Sequence, residues 1–290
     1  MRRLNPAAIL MLAPTHLLLL VVIALPSIYV FWLSLNESTY GSDLTFVGLD
    51  NYVTVLTSSY FWRAALNTLI VVNAVVYIEL LIAIGMAALF LGGVRYPKIM
   101  FAIVLMPYAI SEVVGVLVWK IMLNSGSGVL ARTIESLGFG MFNWSVSPPL
   151  ALSVVTLISI WHHLPFTFLL IYAGMLAIPK SLYEAARIDG ATPWQEFWRI
   201  TLPLTIPAIL ISLIFRFVFA FRLFSEVWLL TAGGPARLTE VLAVYLYQSG
   251  FKYGEFGTAS ATGWLMVIGS LGVASIYLWA MHRRMLKGND

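Results

Sequence analysis

Six long apolar runs alternate with shorter polar segments along the chain, at about 9–34, 67–92, 98–122, 149–178, 204–230 and 258–281. Each is long enough for the roughly 20-residue helix that crosses a bilayer's hydrocarbon core. In lipid, only structures that satisfy their own backbone hydrogen bonds can span. The pattern therefore predicts an all-α integral membrane protein with six transmembrane helices. The first run carries no charged residue between Leu4 and Asn36. Its basic start, Arg2-Arg3, mimics a signal peptide, but the run is too long and ends in no small-residue cleavage site. A retained helix is expected. The polar segments at about 36–66, 123–148 and 231–257 are rich in Gly, Ser, Thr and Asn, as loops on a wet surface are.

Composition agrees: 60% of the residues are hydrophobic and 10% charged, against about 45–50% and about 25% in ordinary soluble domains. The chain has no Cys, which excludes disulfides and thiolate metal sites. The placement of charge matters more than its net value. Ten basic residues (Arg2, Arg3, Arg95, Lys98, Lys180, Arg187, Arg199, Arg283, Arg284 and Lys287) fall on the side of the two termini. Four (Arg63, Arg132, Arg237 and Lys252) fall on the other. The bias predicts that both termini and the segment 179–203 face the cytoplasm.

That segment contains YEAARIDGATPWQEFWRITLPL, Tyr183–Leu204, with five ionised side chains between two greasy runs. Ser181 and Glu184 have capping-box spacing, and Gly190 suits a left-handed helix end. Thr192, Pro193 and Gln195 have the pattern of a second start, and Leu202-Pro203 is expected to close it. Two short helices joined by a tight turn follow. Trp194, Phe197 and Trp198 form one apolar stripe suited to a membrane interface. Ala185 and Ala186 beside Glu184 allow close approach, and the carboxylate can take a charge-assisted bond from a basic partner. The alternative is a solvated hairpin.

The insert resembles the EAA loop of ATP-binding-cassette importer permeases. Glu184-Ala185-Ala186 is followed after three residues by Gly190, after nine more by Ile200, and then by Leu202-Pro203. FVGLDNY (Phe46–Tyr52), FRFVFAFRLF within the fifth run and LLTAGGP (Leu229–Pro235) resemble the carbohydrate branch, of the maltose/glycerol-3-phosphate type. The resemblance covers nearly the whole chain. It departs at Phe219 and Ser225, where many members carry Asp. It implies a type I importer architecture: a single permease domain over 1–290, an outer loop at 36–66 and a cytoplasmic coupling loop at 179–203. Glu184, Ala185, Ala186, Asp189, Gly190, Ile200, Leu202 and Pro203 would then couple to an ATP-binding subunit dimer. A second permease subunit and an extracytoplasmic solute-binding protein are the other partners implied, in a bacterial or archaeal cytoplasmic membrane. No nucleic-acid partner is expected. The chain lacks the phosphate loop G-x-x-x-x-G-K-[ST], so ATP and Mg would be used by the partner and this chain is not expected to be an enzyme.

Ionisable residues inside spans are costly and point to function. Here they are Glu79, Glu112, His162, His163, Arg216, Arg222 and Glu226. Arg222 and Glu226, four apart, are expected to pair along one helix. Arg216 is expected to meet Glu79 or Glu112. Pro165 should bend the fourth span. The resemblance places a sugar path against Ser159, Trp161, His163, Arg216, Phe219, Ala220 and Leu223. No metal ligands are expected, because His162 and His163 are adjacent and should point to different helix faces. An ion-coupled secondary transporter is the alternative; it would need internal repeats and interrupted helices and leaves the EAA spacing unexplained.

Overall fold

The computed structural model describes residues 6–39 and 44–287. Arg2 and Arg3, counted in the orientation argument, lie outside them. The helices are α1 (Met11–Ser34), α2 (Asp50–Thr57), α3 (Ser59–Leu91), α4 (Pro97–Ala109), α5 (Glu112–Met122), α6 (Val129–Ile134), α7 (Pro148–Leu176), α8 (Lys180–Ile188), α9 (Pro193–Ala220), α10 (Ser225–Thr231), α11 (Leu242–Tyr247) and α12 (Phe256–Lys287). Among the described residues five helices are long and apolar enough to cross a membrane, or six if the bent pair α4 and α5 counts as one span. The chain falls into two compact units, 1–61 with 245–267 and 62–244 with 268–290.

In the smaller unit, α1 is covered by little else in the chain: Leu17 and Val22 are 68% and 61% exposed. Such a surface needs an apolar solvent. Asn36–Glu37 (β1) and Thr45–Phe46 (β2) pair antiparallel after it. Asn51 Nδ2 donates to the Ser34 and Asn36 carbonyls, both at 2.9 Å. Gly257 sits where an added Cβ would meet the Asn36 carbonyl and the Asn51 carboxamide. Only glycine permits that approach.

In the larger unit α7 is the buried element, packed by α4, α5, α9 and α10. Val155 and Ile158 join Val116, Val227 and Val244 in one core, and Phe168, Ile171 and Met175 join Ala83, Ala87 and Phe90 in another. A Cβ on Gly174 of α7 would stand 2.5 Å from the Ala208 Cβ of α9. Small residues let membrane helices approach this closely.

Two expected spans are broken. The third turns by 96° between α4 and α5. Pro107 weakens the end of α4, and Ile110 is extended. The fifth ends at Ala220 and resumes at Ser225, with Phe224 non-helical. Arg222 and Glu226 therefore do not share a helix, and they are not among the described ion pairs. Two other differences concern the insert. Leu202-Pro203 does not stop a helix. A π-helical turn, Phe197–Thr201, precedes it, and α9 runs on as one piece. In that wider turn the Leu202 N–H reaches back five residues to the Phe197 carbonyl. The cap of α8 is Pro179, without a side-chain bond, and not Ser181. Pro165 is carried inside an uninterrupted α7.

Candidate functional site

The insert folds as a fastened hairpin. Gly190 has φ +80°, and its N–H donates to the Arg187 carbonyl. Thr192 and Gln195 form the reciprocal capping box. Two side-chain pairs tie α8 to the start of α9. Arg187 Nε donates to Glu196 Oε1 at 2.8 Å, and Tyr183 Oη lies 2.9 Å from Thr201 Oγ1. The Glu196 bond holds the Arg187 guanidinium even further above its already high range. Trp194, Phe197 and Trp198 form one aromatic cluster, with Trp194 69% exposed. Glu184, Ala185, Asp189 and Gly190 are exposed, as is Pro203, while Ala186, Ile200 and Leu202 are half-buried. The hairpin's ion pair uses Arg187 and Glu196, whereas Glu184 enters none of the described ion pairs. Beside the hairpin lies a cavity of about 880 Å³, lined by Leu89, Met175, Tyr183, Glu184, Trp194 and Phe197 among others.

A second cavity, of about 460 Å³, lies where the broken spans meet α7. It brings together Ser159, His163, Arg216, Phe219, Ala220 and Leu223, six of the seven residues named as a solute path. Trp161 is not in its lining. It packs edge-on against Trp119 at 5.5 Å, and a Cβ on Gly115 would lie 3.3 Å from its ring. The cavity also takes in Tyr108, Glu112, His162, Arg222, Ser225 and Glu226. Glu112 and Glu226 each follow a serine in the first turn of a restarted helix, at Ser111-Glu112 and Ser225-Glu226. An acid in the first turn complements the helix dipole. A Ser-Glu pair inside an apolar run is the signal that could have revealed both breaks.

Arg216, 2% exposed, pairs with Glu79: Nη2 donates at 2.7 Å and Nε at 3.1 Å to one carboxylate oxygen. The Thr167 hydroxyl donates to the other oxygen. The triad joins α3, α7 and α9, and so resolves the choice between Glu79 and Glu112. The rings of His162 and His163 do not point apart but meet at 4.9 Å and 80°. Adjacent helical residues diverge at Cβ, yet both imidazoles swing back into the same opening. His163 Nδ1 lies 3.0 Å from the Ser159 carbonyl. One donor atom from each of Glu112, His162 and His163 lies within 4.8 Å of the other two, so these residues could hold a metal ion.

Residues 79–285 match the model of a family described as binding-protein-dependent transport system inner membrane component. The chain is 33% identical over 270 residues to the trehalose/maltose transport system permease protein MalF of Thermococcus litoralis, covering 93% of this chain and 91% of the relative. It is 33% identical over 276 residues to the sulfoquinovosyl glycerol transport system permease protein SmoG of Agrobacterium fabrum, covering 93% and 89%. Among solved structures it resembles a chain of a bacterial alginate ABC transporter in complex with an alginate pentasaccharide-bound periplasmic protein. That match has a TM-score of 0.85 at 26% identity, covering 96% of this chain and 94% of that one.

Proposed function

The chain belongs to the family of binding-protein-dependent transport system inner membrane components, multi-pass permeases of ATP-binding-cassette importers, and from that membership we propose that it carries a sugar or sugar derivative. The substrates named for its relatives, trehalose, maltose, sulfoquinovosyl glycerol and alginate, support this class. As proposed, 1–290 acts as one permease domain beside a second permease subunit. An extracytoplasmic solute-binding protein delivers the solute, and an ATP-binding subunit dimer uses ATP and Mg. Both termini and the coupling loop face the cytoplasm of a bacterial or archaeal cell, in keeping with the ten-to-four bias of basic residues, and the 36–66 loop faces out. Nothing in the family favours the ion-coupled alternative, although interrupted helices are present.

The observation that carries the reading is the division of labour on the hairpin. Arg187 and Glu196 are consumed in holding it together, while Glu184, exposed beside Ala185, is left for a basic group on the ATPase. Asp189, Gly190, Ile200, Leu202 and Pro203 shape that surface. The solute passes the 460 Å³ cavity, along Ser159, His163, Arg216, Phe219, Ala220 and Leu223, with Trp161 supporting the wall from behind. Glu184→Lys places a cation where a carboxylate is needed. Solute-stimulated ATP hydrolysis by the purified complex should fall to its unstimulated level while the chain still inserts and assembles. Normal stimulation would sink the proposal.

A further inference from the structure

The cavity shows a donor set of which the proposed sugar path uses only His163. Glu112, His162 and His163 present donor atoms within 4.8 Å of one another. His163 has its Nδ1 against the Ser159 carbonyl at 3.0 Å. An N–H there fixes the tautomer and turns the Nε2 lone pair outward, the outer-shell arrangement of metal-ligating histidines. Two polar atoms at the same place have no hydrogen-bond partner among the described residues: Nδ1 of His162 and Oε1 of Glu226. Both residues are more than nine-tenths buried, at 7% and 1% exposure, and both line the cavity. Buried polar atoms left unpaired by the protein are rare, and an ion is one of the partners that satisfies them.

The charges around the cavity favour a cation. Arg216 faces it, but its charge is matched by Glu79. Glu112 and Glu226 then stand against Arg222 alone, which is exposed. Tyr108 and the two histidines complete the titratable lining. Two imidazoles with a carboxylate suit a transition-metal ion, whereas Mg and Ca prefer oxygen alone. Donor atoms up to 4.8 Å apart would close by about 1 Å to reach bonds of roughly 2.0–2.2 Å, a movement within side-chain reach.

We propose that Glu112, His162 and His163, with Glu226 beside them, form a binding site for a divalent transition-metal ion such as Zn²⁺. The site does not depend on which solute is carried. The test uses the full permease assembly, purified without a histidine tag, stripped with a chelator and titrated with Co²⁺. One Co²⁺ per chain should bind, with visible ligand-field bands that Zn²⁺ abolishes. Glu112→Gln and His163→Gln, both close in size to the native side chains, should each weaken binding at least about tenfold, the low end of what even a lost outer-shell partner costs a metal site. A native assembly whose spectrum is only that of free aqueous Co²⁺ overturns the proposal without recourse to variants. Unchanged affinity in both variants overturns it equally.

Discussion

Two arginine–glutamate pairs with nearly equal shortest distances hold different parts of this molecule. Arg187 meets Glu196 at 2.8 Å in the hairpin, and Arg216 meets Glu79 at 2.7 Å inside the bundle. Their surroundings differ: the Arg187 side chain is 68% exposed over a Glu196 that is 9% exposed, whereas those of Arg216 and Glu79 are 3% and 0% exposed. Water screens the first pair and competes for its hydrogen bonds. The second pair is almost wholly withdrawn from solvent. An exposed pair is worth up to about 1 kcal/mol. Removing one member of a buried pair costs about 3–5 kcal/mol, because the other charge is left stranded. Distance alone therefore says little about what an ion pair does. The hairpin pair sets a local angle between α8 and α9, and the buried triad with Thr167 fixes how three membrane helices cross.

The strongest way to break this contrast is Arg216→Gln, which strands Glu79. Folded, monodisperse chain recovered in mild detergent should drop by at least an order of magnitude, in line with a loss of about 3–5 kcal/mol. The double variant Glu79→Gln/Arg216→Gln should recover a large part of it, since two neutral amides can bond to each other. Normal recovery of the single variant with uptake abolished would make solute contact, and not the fastening of three helices, the main role of Arg216. Arg187→Ala should lower the unfolding midpoint of the detergent-solubilised chain less than Arg216→Gln does, because the Arg187 guanidinium lies in water, although the change leaves the buried Glu196 without its partner. A fall matching that of Arg216→Gln would erase the distinction drawn here. Glu184→Gln should have the smallest effect on the fold: the midpoint should stay unchanged, because the carboxylate is exposed and enters no described ion pair. A clear loss of stability would mean that Glu184 serves the hairpin and not a partner.

Hydropathy placed the apolar runs, because a segment dissolved in lipid must be apolar over its whole length. The hairpin was also readable. Gly190 and the Thr192/Gln195 box act within a few residues of themselves, so their geometry is local. Where a proline's effect depends on its neighbours, the reading failed. Pro203 looked like a stop, but the π-turn before it carries the helix through. A composition-based search sees an apolar run and not the backbone inside it. The breaks after Ala109 and Ala220 were missed for that reason, although Ser111-Glu112 and Ser225-Glu226 marked them.

By itself, then, the chain's order of residues determined its medium, its helical class and the surface that Glu184 presents, since each rests on local periodicity, spacing or polarity. Only the tertiary structure decided that Arg216 pairs with Glu79, 137 residues away, and that His162 and His163 share one opening. It also moved Trp161 out of that opening to the packing seam with Trp119. These are choices between partners of equal chemical merit. Nothing along the sequence ranks two glutamates within apolar runs for one arginine; the crossing of α3 with α9 does, by bringing one within reach.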